Sequence, residues 1–264
     1  MQGLAHGWEG FAMANDPFEI VQSELAPTGK LRVGINHGNF LLVKPGSSAT
    51  DPQGVAPDLA RELARRLQVP AEFSKFATAG ELANAAREGV WDVAFLGMEP
   101  ERATEITFTA AYLEIPATYL VPAGSPIRSC GDVDQEGVRV AAAEKSAYEL
   151  YLSRNIKRAR LVLTQGIDAS FDTFVTDKLE VLSGLRPRLL MDVTKLPGAR
   201  VLDGQFTAVQ QAIGTPAARR NAAKYLFAFV EDLKASGLVA DAISRHTVEG
   251  VSVAPPATLR QSTM

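Results

Sequence analysis

The stretch Gly89-Val90-Trp91-Asp92-Val93-Ala94-Phe95-Leu96-Gly97-Met98-Glu99-Pro100-Glu101-Arg102, continued by Ala103-Thr104-Glu105-Ile106-Thr107-Phe108-Thr109-Ala110-Ala111-Tyr112, decides how this chain is read. Residues 91–96 carry Asp92 as their only charge, the pattern of a strand covered on both faces. Glu99-Pro100-Glu101 then opens a short helical turn, because proline suits a first helical position and acidic side chains suit a first turn. Arg102 sits on that turn, at the C-terminal end of a buried strand, where open α/β sheets bind their ligands. Its planar guanidinium presents paired N–H donors that match a carboxylate, and charge-assisted pairs of this kind are short and strong. The competing use is a surface arginine paired with Glu99 or Glu105 three residues away.

Outward from this stretch, strands and helices alternate. Residues 31–35 read as a strand ending in the turn-rich Asn36-His37-Gly38-Asn39. Helix 57–68 follows, with Leu59, Leu63 and Leu67 recurring along one face. Strand 73–76 and helix 81–88 lead into the opening stretch. Beyond the loop Pro122-Ala123-Gly124-Ser125-Pro126 the alternation resumes: strands at 138–142, 161–163, 179–183 and 200–202, helices at 146–154, 169–176 and 186–193. A strand at 206–213 precedes helices 217–236 and 239–246, parted at Gly237. This order predicts an α/β fold of mostly parallel sheet flanked by helices.

The 264 residues include 46% hydrophobic and 22% charged side chains, with 27 basic and 30 acidic groups giving a net charge of −3. That balance argues against nucleic acid or an anionic membrane as main partner. The basic run Arg154, Lys157, Arg158, Arg160 has no interleaved aromatics and reads as a solvated helix end. Cys130 is the single cysteine and the three histidines lie far apart, so no disulfide and no metal site is expected. No run of about 18 apolar residues would span a bilayer. Phosphate-loop, dinucleotide and nucleophile-elbow signatures are missing, so no cofactor and no catalytic residue is assigned. Residues 1–24 read as a loosely ordered leader with one helical turn around 17–24; Ala12-Met13-Ala14 imitates a cleavage site but lacks the basic and apolar regions before it. The tail from Ser252 is expected to fray.

The motif Gly89-x-x-Asp92, apolar strand, Glu101-Arg102, Phe108-Thr109-x-x-Tyr112 resembles the signature of family 3 extracellular solute-binding proteins, the amino-acid-type receptors of bacterial ABC importers. Gly29–Gly34, Asp58-Leu59 in its helix and Ala212-Ile213-Gly214-Thr215-Pro216 also resemble that family, over about residues 29–248. The resemblance implies a type II periplasmic-binding-protein fold: two α/β lobes joined by two crossover strands, near 114–116 and 205–207, around a cleft that closes by hinge motion. Lobe I would then comprise 25–115 plus 206–264, and lobe II 116–205. The matching arginine of the family, here Arg102, grips the ligand's carboxylate.

Departures from the pattern bear on the ligand. Gly97-Met98-Glu99-Pro100 replaces the hydroxyl-bearing loop of common amino-acid receptors. The acid that receives the ligand's amino group falls, by counting, on Leu185, with Arg186 next to it. Either Glu99 supplies the counter-charge, or the ligand is not an ordinary α-amino acid; an Arg186 facing the cleft would favour a dicarboxylate. Further candidates for ligand contact are Asn36 and Asn39 in the first turn, Gly97 at the strand end, Phe76 as an apolar cover, and Lys145-Ser146 at a helix start whose free N–H groups suit an anion.

The resemblance thus implies a monomeric, non-enzymatic protein that captures a small carboxylate-bearing solute, an amino acid or related organic acid, and presents it to an ABC transporter permease. Two alternatives stand beside it: a dehydratase like cyclohexadienyl dehydratase, which shares the fold and needs a general acid such as Glu144 or Glu99, and a ligand sensor for a signalling partner. The resemblance implies a periplasmic location, while the weak leader leaves the cytoplasm open.

Overall fold

Alternating apolar runs and amphipathic segments resolve into thirteen strands and eight helices within residues 16–48 and 51–257, which the computed structural model describes. In chain order they are α1 (Pro17–Leu25), β1 (Leu31–Asn36), β2 (Lys44–Ser48), β3 (Asp51–Gln53), α2 (Val55–Arg66), β4 (Ala71–Phe76), α3 (Ala79–Asn84), β5 (Val93–Gly97), β6 (Ile106–Phe108), β7 (Leu113–Val121) and β8 (Arg139–Ala143). There follow α4 (Ala147–Asn155), β9 (Arg160–Thr164), α5 (Ile167–Thr176), β10 (Val181–Leu185), α6 (Arg186–Asp192), β11 (Arg200–Val201), β12 (Thr207–Pro216), α7 (Arg220–Ala235), α8 (Leu238–Arg245) and β13 (Ser252–Val253).

Eleven strands share one sheet: eight follow the path β4-β1-β5-β12-β7-β10-β8-β9, β11 and β13 add to β7, and β6 adds to β12, while β2 and β3 pair separately. β1 lies parallel to β4 and β5, and β8 parallel to β10 and β9. Between these parallel halves the two longest strands, β7 and β12, run antiparallel to each other, with Ala117 facing Thr207 and Leu113 facing Gln211. The result is a two-lobed α/β architecture with two strands crossing between the lobes.

Leu59, Leu63 and Leu67 are all buried, as their spacing predicts, but α2 starts at Val55, ahead of Pro57. The expected helix 81–88 is α3 followed by a 3-10 turn over Ala85–Glu88, closed by left-handed Gly89. Trp91 is fully buried and donates its Nε1–H to the Leu82 carbonyl at 3.1 Å.

At the N-terminal end the helical turn expected around 17–24 is present, and at the C-terminal end the expected fraying from Ser252 is not. Residues 1–15 and 258–264 lie outside the described residues, but 17–24 are not loose: Asp16 caps the Phe18 N–H at 2.9 Å and starts α1. That helix buries Val21 and Leu25 and is tied by Glu24 to Asn221 and to the Ala222 N–H, at 2.7 and 2.8 Å. At the other end, Ser252 and Val253 do not fray, because they add to β7 opposite Glu114 and Leu113, and Lys234 holds the Pro255 carbonyl at 2.8 Å.

Candidate ligand-binding site

Pro100–Arg102 forms a single 3-10 turn at the end of β5, closed by the Arg102 N–H on the Glu99 carbonyl at 3.0 Å. The turn throws the Arg102 side chain inward, where it is 6% exposed. Its Nη1 donates to the Gly97 carbonyl at 2.5 Å, on its own lobe, and its Nη2 to the Lys145 carbonyl at 2.7 Å, on the other. Among the described residues no carboxylate lies within 4.0 Å of it. Burial pulls the guanidinium down to about 10, against the opposing pull of Glu99, Glu101 and Glu149 further off. A buried cation satisfied only by carbonyls retains its charge for an anion.

The surface-pair alternative for Arg102 is not what the structure shows. Glu99 and Glu101 both turn to Arg154 on α4, at 2.6 Å, and Glu105 pairs with Arg87 at 3.0 Å. These Arg154 bridges also join the lobes.

Three cavities lie between the lobes. A small one of about 50 Å³ is bounded by Arg102, Asn36, Asn39, Gly97, Ser146 and Gln211, among others. The Asn39 Oδ1 is buried there without a hydrogen-bond partner, a costly condition for a polar atom. The larger cavity, about 600 Å³, shares the wall residues Asn36, Ala79, Ser146 and Ile167 with the small one and extends past Phe40, Glu144 and Arg188. Ser146 caps α4 by accepting the Glu149 N–H at 3.2 Å, so the start of that helix borders both spaces. Lys145 takes a left-handed φ of 57°, strained for a residue with a Cβ, at the point where its carbonyl meets Arg102. Its side chain borders a third cavity of about 320 Å³, on which Arg102 also lies.

Of the residues singled out by sequence, Arg102, Asn36, Asn39, Gly97 and Ser146 therefore meet around one small space, with Lys145 beside it. Three others do not. Phe76 packs with Leu82 and Trp91 in the core beside β4. Glu99 is held by Arg154, so its charge is already spent. Arg186 points to the Leu202 and Gly204 carbonyls, at 2.9 and 3.0 Å, and lines none of the interlobe cavities. Sequence reasoning missed Arg188, which does face the large cavity and binds Asp168 at 2.7 Å and Asp192 at 2.8 Å. Its i,i+4 spacing from Asp192 was the available signal. Leu185, standing where an acid was expected, borders the small cavity without charge.

With two lobes, crossing strands and a walled cleft, the molecule has the architecture of a solute receptor. Residues 31–248 match the profile of bacterial extracellular solute-binding proteins, family 3, and the chain belongs to that family. Among solved structures, a mutant of ArgBP from T. maritima superposes with a TM-score of 0.70 at 19% identity, covering 87% of this chain and 100% of that one. AbpA from Streptococcus pneumoniae, an amino acid ABC transporter substrate-binding protein bound to L-arginine, gives 0.69 at 19% identity, with 85% and 98% covered. The ancestral amino-acid-binding protein AncCDT-1, a precursor of cyclohexadienyl dehydratase, gives 0.69 at 20% identity, again with 85% and 98% covered. These likenesses establish the type II periplasmic-binding-protein fold. No curated protein is matched by the sequence. Among the described residues no helix is long and apolar enough to cross a membrane.

Proposed function

We propose that this chain captures a small carboxylate-bearing solute, an amino acid or related organic acid, by closing lobe I (25–115 plus 206–264) on lobe II (116–205) along β7 and β12. The observation that carries this reading is the buried Arg102 guanidinium, which has no carboxylate within 4.0 Å among the described residues and is reached from both lobes. Closure removes water, and in the drier cleft each charge-assisted bond counts for more. The Asn39 amide, the Ser146 start of α4 and the Gln211 side chain border the same space and offer the further polar contacts that orient a ligand.

On this reading the protein is a monomer without catalytic residues, works outside the cytoplasmic membrane, and hands its ligand to an ABC transporter permease. The family and the amino acid ABC transporter receptors of the same fold support it. Titration calorimetry against a panel of amino acids and organic acids tests it: at least one carboxylate binds, and Arg102→Ala abolishes that binding. Binding that survives Arg102→Ala refutes the assignment.

One observation favours the dehydratase alternative: the Glu144 carboxylate borders the large cavity, where a general acid could reach a substrate. Formation of phenylpyruvate from prephenate, followed by absorbance, is expected to be absent; turnover lost in Glu144→Gln would establish the enzyme.

A further inference from the structure

We infer that the solute carries a cationic nitrogen on its side chain as well as a carboxylate, and that Glu144 receives that cation. The inference rests on the carboxylate-binding reading of Arg102 and extends it to the opposite end of the ligand.

Its basis is an account of the charges that face the interlobe space. On the wall of the large cavity contributed by β8, β9, α5 and α6 stand three acids, Glu144, Asp168 and Asp192, and two bases, Arg188 and Lys195. Asp192, 1% exposed, is held by Arg188 at 2.8 Å and Lys195 at 2.9 Å, and Asp168 by Arg188 at 2.7 Å. Glu144 alone of the three has no cation within 4.0 Å among the described residues; its carboxylate is met by the neutral Gln165 amide. Elsewhere in the cleft, Glu99 is neutralised by Arg154 and Leu185 offers no charge. Among the described arginine, lysine and acidic side chains that line these two spaces, Arg102 is the one cation and Glu144 the one anion without an ion-pair partner; Lys145, likewise unpaired, borders the third space.

Their placement separates the two ends of the ligand. Arg102 borders the 50 Å³ space and not the 600 Å³ one; Glu144 borders the large space and not the small. The two spaces meet at the walls they share, Asn36, Ala79, Ser146 and Ile167, so a ligand gripped by its carboxylate at Arg102 extends past these residues toward Glu144. An α-ammonium, one carbon from the carboxylate, stays near Arg102. A nitrogen at the end of a side chain passes Asn36 and Ser146 into the large space, where Gln165 fixes Glu144. A purely anionic or apolar chain would leave Glu144 unpaired inside a closed cleft, which is unfavourable.

Calorimetry with L-ornithine, L-lysine and L-arginine, against the neutral chains of L-norvaline and L-norleucine, tests the proposal on wild type, Glu144→Gln and Arg102→Ala. Wild type is expected to bind at least one basic amino acid on the order of 10- to 100-fold more tightly than the neutral ones, the range of a hydrogen bond to a charged group. Glu144→Gln, which keeps the shape and the Gln165 contact, is expected to erase that preference by weakening the basic ligands. A wild type without the preference, or a preference that survives in Glu144→Gln, overturns the proposal. Arg102→Ala weakens basic and neutral ligands alike; if it leaves them unaffected while Glu144→Gln still erases the preference, the carboxylate reading fails and the Glu144 assignment stands.

Discussion

On β1 of the first lobe, Arg32 gives its backbone N–H, Nε and Nη2 to the carboxylate of Asp92, the residue just before β5, at 2.8 to 3.0 Å. On β8 of the second lobe, Arg139 gives the same three donors to Glu180, the residue just before β10, all at 2.9 Å. The two clamps differ in depth and in a third partner. Asp92 is 0% exposed and also takes Arg219 at 2.7 Å, whereas the Glu180 side chain is 37% exposed and, among the described residues, pairs with Arg139 alone. Arg219 stands just before α7, on the chain's return after the second crossing. Asp92 thus ties β1 and the turn before α7 to the start of β5, three stretches far apart in the sequence.

Removing the deeper clamp is expected to have the largest effect. Asp92→Ala leaves two arginines facing each other without their anion; losing one partner of a buried pair costs about 3–5 kcal/mol, and the partly exposed guanidinium groups place this case near the lower end. Urea denaturation followed by circular dichroism reads it. A loss no larger than that of Glu180→Ala would abolish the distinction between the lobes.

Next comes the seam between them. A Cβ on Gly97 would lie 2.8 Å from the Ala147 Cβ, and one on Gly80 2.8 Å from the Lys145 Cβ, so glycine lets the lobes approach at both points. Gly97→Ala is expected to weaken ligand binding by roughly 10- to 100-fold, corresponding to an overpacking cost of about 1–3 kcal/mol, with stability to urea little changed. Small-angle scattering with saturating ligand then shows a wider molecule than wild type. Unchanged affinity would mean that these surfaces do not meet in the bound form.

The shallow clamp gives the smallest effect. Glu180→Gln is expected to cost about 0.5 kcal/mol, as for exposed ion pairs. Arg139 holds the Glu180 carboxyl below its ordinary 4.5. Its contribution is therefore present above pH 4.5 and is lost as pH falls through the lowered value. Denaturation curves of wild type and Glu180→Gln should separate at pH 7 and converge in acid; divergence in acid would reverse the sign.

These differences also explain what could be read along the chain. The leucines of α2 and the buried run before Arg102 were legible because local period and apolarity determine them. Asp92 was visible as a motif position, but its reason, contact with Arg32 and Arg219, is 60 and 127 residues distant in sequence. The pairing of Glu99 was hidden for the same cause, since its partner Arg154 lies 55 residues on. Arg186 and Arg188 exchange roles because two residues along a helix turn a side chain by about 200°, and counting does not fix which of them faces the cleft. The segment Lys44-Pro45-Gly46 that opens β2 has no alternating pattern, and the two-residue β13 exists only because the edge of β7 accepts it.

The account stands on Arg102 clasping a carboxylate. The most direct measurement is the affinity of the tightest-binding amino acid compared with that of its carboxamide, in wild type and in Arg102→Ala. Wild type should prefer the free acid by on the order of 10- to 100-fold, the range of a charge-assisted hydrogen bond, and Arg102→Ala should bind both forms equally weakly. Equal affinity of wild type for acid and amide, or an acid preference kept by Arg102→Ala, would contradict it.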